Sequence, residues 1–344
     1  MRLLLWAVVF SGVLYSCSST RDMRVLTARP ANVTVGSEVK RIAIVNRSIG
    51  RERSVLEGVL TGELPGNDSR LSRECIKGLS QELGQSDRFS VAVYEKELMS
   101  GSPSSTQFGP MLPWNIIGDI CKRTSADAVL VLEYFDSDYT LEHITKSAKT
   151  ADKAVVNNTP EPLFSARGTA SAEAGFRLYN NLSHSITYED SYRFRKEWKQ
   201  SARTYLEAAT KLIKKNDAML YVSRDLGANF SAQLIPHRYW ENRLMFKGKT
   251  PLSQKAERFA LTGDWESAQK LWKQEYDNAR EPKLKAAAAY NLALTSEVLG
   301  NYETAKKWII TSYTEAGDSR ALRYSSIIDN LIADRQRLES QMGK

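Results

Sequence analysis

The pattern of apolar residues changes abruptly near residue 249, and this change limits what the chain can fold into. Before it, short β-branched runs alternate with helical periods, whereas after it helical periodicity continues to the end. Strands that alternate with helices favour a sheet covered by helices, and uninterrupted helices favour an all-α unit. The sequence therefore predicts an α+β protein: a small α/β sandwich domain over 39–200, connecting helices over 201–248 and an all-α helical domain over 249–344.

Three short apolar runs predict the strands of the first domain. These runs are rich in β-branched residues and lie at 39–46, 89–94 and 126–135. Two stretches with apolar residues at helical spacing separate them, at 71–83 and 114–121. The predicted order is therefore strand, helix, strand, helix, strand.

A β-hairpin over 169–179 and 186–198 is predicted to extend this sheet. Small and apolar residues alternate in its first segment. The second segment places apolar side chains near one face, namely Ile186, Tyr188, Tyr192, Phe194 and Trp198. Asn180 and Asn181 suit the turn between the segments, because asparagine tolerates positive φ.

Residues 201–248 are predicted to connect the two domains through helices. Ser201 is a candidate N-cap for a helix that reaches about residue 213. A second helix is predicted over 218–234, ending before Pro236 because proline cannot continue a helix.

Residues 1–16 predict an export signal. Residues 3–14 form an almost unbroken apolar run. As a helix this run would span about 18 Å, which is too short for a hydrocarbon core of about 30 Å. The segment that follows contains Pro30 and Gly36 and shows no periodicity, so it predicts a tether over 17–38.

The apolar run ends in Leu14-Tyr15-Ser16-Cys17, which resembles the lipobox of bacterial lipoproteins. The resemblance implies that the thiol of Cys17 is acylated and that Cys17 becomes the mature N-terminus. A lipid at this position would hold the protein on a membrane. The alternative is an ordinary secretory signal that has an incidental cysteine.

The formal net charge of +8 limits the kinds of partner that are expected for an exported protein. Loss of Arg2 with the signal would leave a charge of about +7. After export, nucleic acid is not expected as a partner. A basic surface would then meet anionic lipid headgroups, cell-wall polymers or acidic proteins, unless it is simply solvated.

Cysteine and histidine give no sign of a metal site or a catalytic set. Cys75 and Cys121 each lie in a predicted helix, where they could form one disulfide or remain two buried thiols. His143, His184 and His237 lack the spacing of zinc ligands or of a nucleophile with its base. The sequence therefore predicts a protein with no catalytic residues, no cofactor and no metal.

Three carboxylates follow one another at the end of the third predicted strand, at Glu133, Asp136 and Asp138. Such a group could hold a cation, since oxygen ligands suit calcium and magnesium. The preferred interpretation is a solvated loop, in which the three side chains face water.

Two related sequence motifs in the helical domain each contain a glycine, an aromatic residue two positions later and an alanine three positions after that. They are Gly263, Trp265 and Ala268, and Gly300, Tyr302 and Ala305. The glycine would let the chain reverse sharply, the aromatic ring would fill the corner, and the alanine would let helices approach closely. The pattern resembles the tetratricopeptide repeat, and a closing helix is expected over 321–342.

This resemblance implies a partner-binding groove along the first helix of the second repeat, because in such repeats that helix lines a concave surface. Tyr290, Leu294 and Val298 are four residues apart and would share this surface, with Glu297 near its rim. A protein partner would bind there. The alternative is that the same stripe packs internally against the other domain.

Three segments of the first domain resemble a known small α/β domain. They lie at 41–45, 87–91 and 125–131. The similar domain occurs in curli-secretion lipoproteins and at the amino terminus of the translocation protein TolB. The pore-forming insertions of the curli proteins have no clear counterpart in this sequence, so the resemblance does not imply a secretion channel.

The order of these parts resembles lipoproteins of Bacteroides-type bacteria that join such an α/β domain to tetratricopeptide-like helices. The resemblance implies an outer-membrane lipoprotein, and the lack of an acidic run after Cys17 favours the periplasmic side. The expected function is a non-enzymatic scaffold or adaptor for protein partners. The alternative is an oligomeric component of an export, secretion or envelope-assembly apparatus.

Overall fold

A computed structural model of the chain describes residues 19–48, 67–99, 106–144 and 164–343. The predicted signal and Cys17 lie outside these residues, so the structure gives no account of them. In the described part, the predicted mixture of α and β structure is confirmed. A sheet-rich region comes first in the chain and a helical region follows it.

The secondary structure defines the labels used below. The strands are β1 (Thr20–Arg29), β2 (Arg41–Asn46), β3 (Ser90–Val93), β4 (Ala128–Ile144), β5 (Phe164–Asn180), β6 (Ser185–Ala202) and β7 (His237–Phe246). The helices are α1 (Asn67–Gly84), α2 (Trp114–Thr124), α3 (Tyr205–Thr210), α4 (Lys215–Leu234), α5 (Pro251–Leu261), α6 (Trp265–Asn278), α7 (Pro282–Val298), α8 (Tyr302–Ala316) and α9 (Ser319–Met342).

These elements form two compact units. The α/β unit contains residues 30–237 and 337–344. The helical unit contains residues 238–336 together with the N-terminal segment that ends at Arg29. The first strand of the chain therefore belongs to the helical unit, which differs from the predicted domain boundaries.

A five-stranded sheet, in the order β3-β2-β4-β5-β6, forms the centre of the α/β unit. β2 runs parallel to both β3 and β4, whereas β4, β5 and β6 are antiparallel in succession. The predicted strand–helix–strand–helix–strand order and the added hairpin are confirmed. However, β4 continues well beyond residue 135 to Ile144, so the predicted solvated loop at its end is wrong.

Helices cover both faces of the sheet. α1 and α4 pack on one face over a core that includes Ile42, Leu130 and Phe176. α2 packs on the other face over a smaller core that includes Val45 and Val131. Because successive side chains of a strand point to opposite faces, neighbours such as Leu130 and Val131 enter different cores.

The two described cysteines lie on opposite sides of this sheet. Cys75 belongs to the core under α1, and Cys121 belongs to the core under α2. Both are free thiols and both are buried. The alternative of two buried thiols is therefore confirmed, and the disulfide is wrong because the sheet separates the two sulfur atoms.

Both buried thiols are expected to resist alkylation in the folded protein. Burial raises the pKa of Cys75, and burial followed by the charge of Asp127 raises the pKa of Cys121 to about 11. Since the thiolate is the nucleophile, a Cys17→Ser chain at pH 8 should react at least about 100-fold more slowly than a free thiol. Mass spectrometry after iodoacetamide treatment would measure this; rapid labelling without denaturant would contradict it.

A close crossing between α1 and α4 depends on two glycines. A Cβ atom on Gly78 would lie 2.1 Å from the carbonyl oxygen of Arg224. A Cβ atom on Gly227 would lie 1.9 Å from the carbonyl oxygen of Cys75. The obstacles are backbone atoms, so the helices can accept a methyl group only by moving apart.

Gly227→Ala is therefore expected to destabilise the α/β unit by about 1–3 kcal/mol, the usual range for overpacking, despite the better helix propensity of alanine. Urea unfolding followed by circular dichroism would measure the change. Gly118→Ala in α2 is the matched control, because the nearest atom to its new Cβ is 3.9 Å away. A destabilisation of the same size in both variants would contradict the close-crossing explanation.

A β-bulge redirects one side chain of the predicted hairpin. The register shifts between Leu178 and Tyr179, so Ile186 pairs with Tyr179 and packs in the core under α2. The other predicted apolar residues of β6 pack on the α1 and α4 side, namely Tyr188, Tyr192, Phe194 and Trp198. The prediction that Ile186 shares their face is wrong because the bulge changes the alternation.

The predicted tether over 17–38 is wrong in its described part. Thr20–Arg29 is β1, a strand whose inward side chains Val25 and Thr27 are buried. The backbone just after β1 is also held in place, since the Arg88 guanidinium donates to the carbonyl oxygens of Val35, Gly36 and Val39 at 2.6–2.9 Å. Charged residues on the outward side of β1 hid its alternation from the sequence analysis.

The predicted helices over 201–248 are only partly correct. The second one is confirmed as α4. The first is the short α3, and its N-cap is Thr204, which accepts a hydrogen bond from the Glu207 amide. Ser201 instead lies in β6 and pairs with Ser165, so its predicted capping role is wrong. The end of this segment is β7, a strand where a helical connection was expected.

β1 and β7 form a two-stranded sheet in the helical unit, which we call the ribbon. Ser19 lies beside Lys247, with 3.0 Å between the carbonyl oxygen and the amide nitrogen, and Arg29 contacts Tyr239. The start of β1 thus lies at the end of β7, so the two strands are antiparallel. Helices α5 to α8 of this unit pack against one another in the order of the sequence: α5 contacts α6, α6 contacts α7 and α7 contacts α8.

Candidate functional site

The repeated glycines lie in the turns that join α5 to α6 and α7 to α8. Gly263 has φ of +85° and Gly300 has φ of +76°, a left-handed conformation that glycine adopts at little cost. The aromatic residue of each motif is half-buried and is the first residue of the next helix. The alanine of each motif is buried. These residues are Trp265 and Tyr302, and Ala268 and Ala305.

The predicted partner groove on α7 is not open to a partner. Tyr290, Leu294 and Glu297 are buried, with 3%, 0% and 4% of their surface exposed, and Val298 is half-buried. The groove interpretation is therefore wrong for these residues. The alternative was that the stripe packs internally against the other domain. The stripe does pack internally, but the residues that cover it belong to the helical unit itself.

The ribbon covers this stripe. The ring of Phe246 in β7 meets the ring of Tyr290 edge-on at 5.0 Å between centroids. The side-chain amide of Asn291 bonds both backbone groups of Phe246, since its oxygen accepts from the amide and its nitrogen donates to the carbonyl, each at 2.9 Å. A strand of the chain itself thus occupies the surface where a peptide was expected.

A buried ion cluster fixes β7 to the helices. The Nε of Arg243 lies 3.0 and 3.1 Å from the two carboxylate oxygens of Glu297, and its Nη1 donates to Glu241 at 2.6 Å. The hydroxyl of Tyr324 in α9 also donates to Glu297. Burial, assisted by the charge of Glu297, raises the pKa of Tyr324 well above its usual value, so the phenol keeps its proton.

The geometry of this ion cluster indicates a structural role for Glu297 rather than a role in acid–base catalysis. Both oxygens of Glu297 are engaged, and the carboxylate has almost no contact with solvent. A general acid or base must reach a substrate proton within hydrogen-bond distance. Glu297 therefore acts as the anchor of β7 on α7 and α9.

A second buried ion cluster lies in the α/β unit, at the end of the sheet near α2. Its centre is Glu133, which has 1% of its surface exposed and sits at a bulge of β4. Arg47 donates to one carboxylate oxygen at 2.8 Å, and Arg177 donates to the other at 2.9 Å. Burial raises the pKa of Glu133, and the two guanidinium groups oppose part of that shift by favouring the charged form.

A covering segment, residues 108–112, closes this second cluster from solvent. The guanidinium of Arg47 donates to the carbonyl oxygen of Pro110 at 2.7 Å, and that of Arg177 donates to Gly109 at 3.3 Å. The amide of Leu112 donates to the Tyr179 hydroxyl at 2.9 Å. The two arginines therefore hold the covering segment and Glu133 at the same time.

The other charges predicted beside Glu133 have separate environments. Asp136 and Asp138 continue along β4, where Asp136 is half-buried and Asp138 is exposed. Glu133 is instead paired with arginines, which leaves no carboxylate oxygen for a cation. Within the described ranges, no group of histidine, cysteine, aspartate and glutamate side chains has the geometry of a metal site.

The described histidines are also apart from one another. The His184 ring stacks on Trp114 at 5.2 Å between centroids, and the His143 ring lies 4.4 Å from Tyr205. His237 is the first residue of β7. The structure thus does not bring these residues together.

Sequence reasoning missed Arg243, Tyr324 and the ribbon that they hold. The signal in β7 was alternation, because Tyr239, Glu241, Arg243 and Met245 point inward. Two charged residues on that inward face made the segment read as polar. Glu297, the partner of Arg243, is more than fifty residues away, so only the fold explains why the Arg243 charge is buried.

The two units correspond to a sheet covered by helices and to a set of helices with a small ribbon. The chain belongs to the family described as Domain of unknown function (DUF8603), whose model matches residues 39–246. A second family model, Domain of unknown function (DUF6340), matches residues 254–330. A comparison with curated proteins gave no match.

Two solved structures are distantly similar to the chain. A homolog of the neuraminyllactose-binding hemagglutinin from Helicobacter pylori is 12% identical, with a TM-score of 0.27 over 58% of this chain and 82% of its own. A PelC dodecamer from Paraburkholderia phytofirmans is 10% identical, with a TM-score of 0.21 over 61% and 98% of the respective chains. Neither likeness bears on fold or function at these scores.

Proposed function

We propose that this protein is a non-enzymatic lipoprotein of the cell envelope that serves as a scaffold for protein partners. A lipid on Cys17 would anchor it to the periplasmic side of the outer membrane, as in the Bacteroides-type lipoproteins that its sequence resembles. None of the described helices is both long and apolar enough to cross a bilayer.

The helical unit supports a tetratricopeptide-like architecture. Two helical hairpins, α5 with α6 and α7 with α8, share a left-handed glycine turn and a fully buried alanine after it. α9 follows them and contacts α8 through Lys306, which binds Ser325 and Asp329. In such arrays the helices themselves supply binding surfaces.

The observation that carries the scaffold role is an exposed apolar pair on α8. Ile310 and Tyr313 have 47% and 40% of their surface exposed and lie three residues apart, so they share one side of the helix. Lys307 is exposed one turn before Ile310. A partner helix with apolar residues and an acidic neighbour would match this surface.

Cross-linking in the native envelope would test the scaffold role. Ile310→Asp should abolish recovery of a defined partner, because it puts a charge on the apolar contact. Leu206→Asp in α3 is the matched control, since Leu206 is 74% exposed in the α/β unit. Recovery of the same partners from both variants would overturn the role of α8.

The anchor has a separate test. Mass spectrometry of the mature N-terminus should show an acylated Cys17, and Cys17→Ser should move the protein from the membrane fraction to the soluble one. An unmodified cysteine on a correctly exported protein would reject the lipoprotein assignment.

One observation favours the alternative of an oligomeric apparatus component. β6 is the outermost strand of its sheet, it is 18 residues long, and no described strand pairs with its outer side. An open strand edge can add a strand of another chain. Light scattering of the detergent-solubilised protein would give the mass of a defined oligomer in this case, whereas the mass of a monomer would argue against it.

A further inference from the structure

The ribbon begins very close to the proposed anchor. Thr20 is the first residue of β1 and follows Cys17 by three residues. Three extended residues span at most about 11 Å. An acylated Cys17 would keep the start of β1 within that distance of the lipid headgroups, so a membrane contact of the ribbon rests on the proposed lipidation.

Part of one face of the ribbon, near the start of β7, is not covered by the helices, whereas Leu244 and Phe246 near the other end pack against the helical core. Inward side chains such as Val25, Arg243 and Met245 are buried against them. Alternation turns the neighbouring residues outward, and two large apolar side chains are exposed there. Leu26 has 45% of its surface exposed and Trp240 has 57%. We call this surface the outer ribbon face.

The chemistry of the outer ribbon face matches a membrane interface. The guanidinium carbon of Arg24 lies 5.3 Å from the centre of the Trp240 ring, and Arg238 is exposed one position along the same side of β7. Tryptophan is enriched at the boundary between headgroups and acyl chains. Arginine forms bidentate hydrogen bonds with phosphate oxygens.

The net positive charge of the residues around this face also favours contact with an anionic membrane. Apart from the inward-facing Arg243 and Glu241, residues 19–29 and 238–249 contain six basic residues and one acidic residue. Lysine and arginine side chains near an anionic membrane surface are attracted to it. We propose that the outer ribbon face lies on the lipid headgroup layer, with Trp240 and Leu26 at the acyl boundary and Arg24 and Arg238 on phosphates.

The test measures tryptophan quenching on vesicles of phosphatidylethanolamine and phosphatidylglycerol that carry headgroup nitroxides. The protein is isolated with its natural N-terminus. If mass spectrometry shows that Cys17 carries no lipid, its thiol is coupled to maleimide lipid in the same vesicles. Failure of the anchor assignment therefore appears in the mass spectrum, and the membrane contact of the ribbon is tested in either case.

Trp240→Phe is expected to remove more than half of the lipid-dependent quenching of the wild-type protein. Trp308→Phe in α8 is the control, because this half-buried ring lies in the same unit but outside the ribbon. It should leave that quenching unchanged. Equal losses in the two variants, or no lipid-dependent quenching at all, would overturn the proposal.

Discussion

Glu133→Ala is expected to destabilise the α/β unit by about 3–5 kcal/mol, the range found when one partner of a buried ion pair is removed. Arg47 and Arg177 would keep their charges in a site that water barely reaches. The covering segment would be held less firmly as well, because Glu133 positions the guanidinium groups that bind its carbonyl oxygens. Urea unfolding monitored by circular dichroism would measure the effect.

Two further variants separate charge from packing in this cluster. Glu97→Ala removes a carboxylate from an exposed pair with Arg73 and should cost less than about 1 kcal/mol. Adding Arg47→Met to Glu133→Ala should recover part of the lost stability, since it removes a buried charge whose carboxylate partner is gone. Arg177 would still pair with Glu189 at 2.6 Å. If the double variant is no more stable than Glu133→Ala, uncompensated charge is not the cause.

Glu297→Ala should have an effect of the same order, about 3–5 kcal/mol, on the helical unit. Among the described residues, it leaves the buried Arg243 guanidinium in β7 with only Glu241 as a charged partner. It also removes the acceptor of the Tyr324 hydroxyl. The ribbon should loosen first, so hydrogen exchange of β1 and β7 amides should accelerate before the helices unfold.

Asp329→Ala is the comparison for this unit. Asp329 pairs with Lys306 at 2.6 Å, but its side chain is 57% exposed, so the loss should stay below about 1 kcal/mol. A Glu297→Ala protein with unchanged amide exchange in β7 would show that other contacts hold the ribbon, such as the two hydrogen bonds from Asn291.

The sequence was sufficient where an element carries its own periodic signal. β2 and the first part of β4 are continuous apolar runs, and α4 has a helical period that ends before Pro236. Local pattern and tertiary environment agree in these segments, so the pattern alone predicts them.

The sequence was insufficient where burial depends on a distant partner. Glu133 looks like a solvent-exposed carboxylate until β5 brings Arg177 beside it. β1 and β7 alternate inward and outward residues, but more than two hundred residues separate the two strands. Pairing between residues so far apart in the sequence cannot be predicted from the pattern of a short segment.

The groove prediction failed for a related reason. The stripe on α7 was identified correctly as one side of a helix, since Tyr290 and Leu294 are both buried in the same core. What covers it could not be read from the helical domain, because β7 lies in a segment that was predicted to be helical. The missing information was the position of one strand.

The pairing of β1 with β7 also sets an order of events during biosynthesis. β1 ends at Arg29 and leaves the ribosome well before β7, which ends at Phe246. During that interval β1 has no partner strand, and its buried residues Val25 and Thr27 face water or a chaperone. The helical unit can complete its fold only after β7 and the helices that follow it have been synthesised, so a stalled or shortened chain would present an open strand.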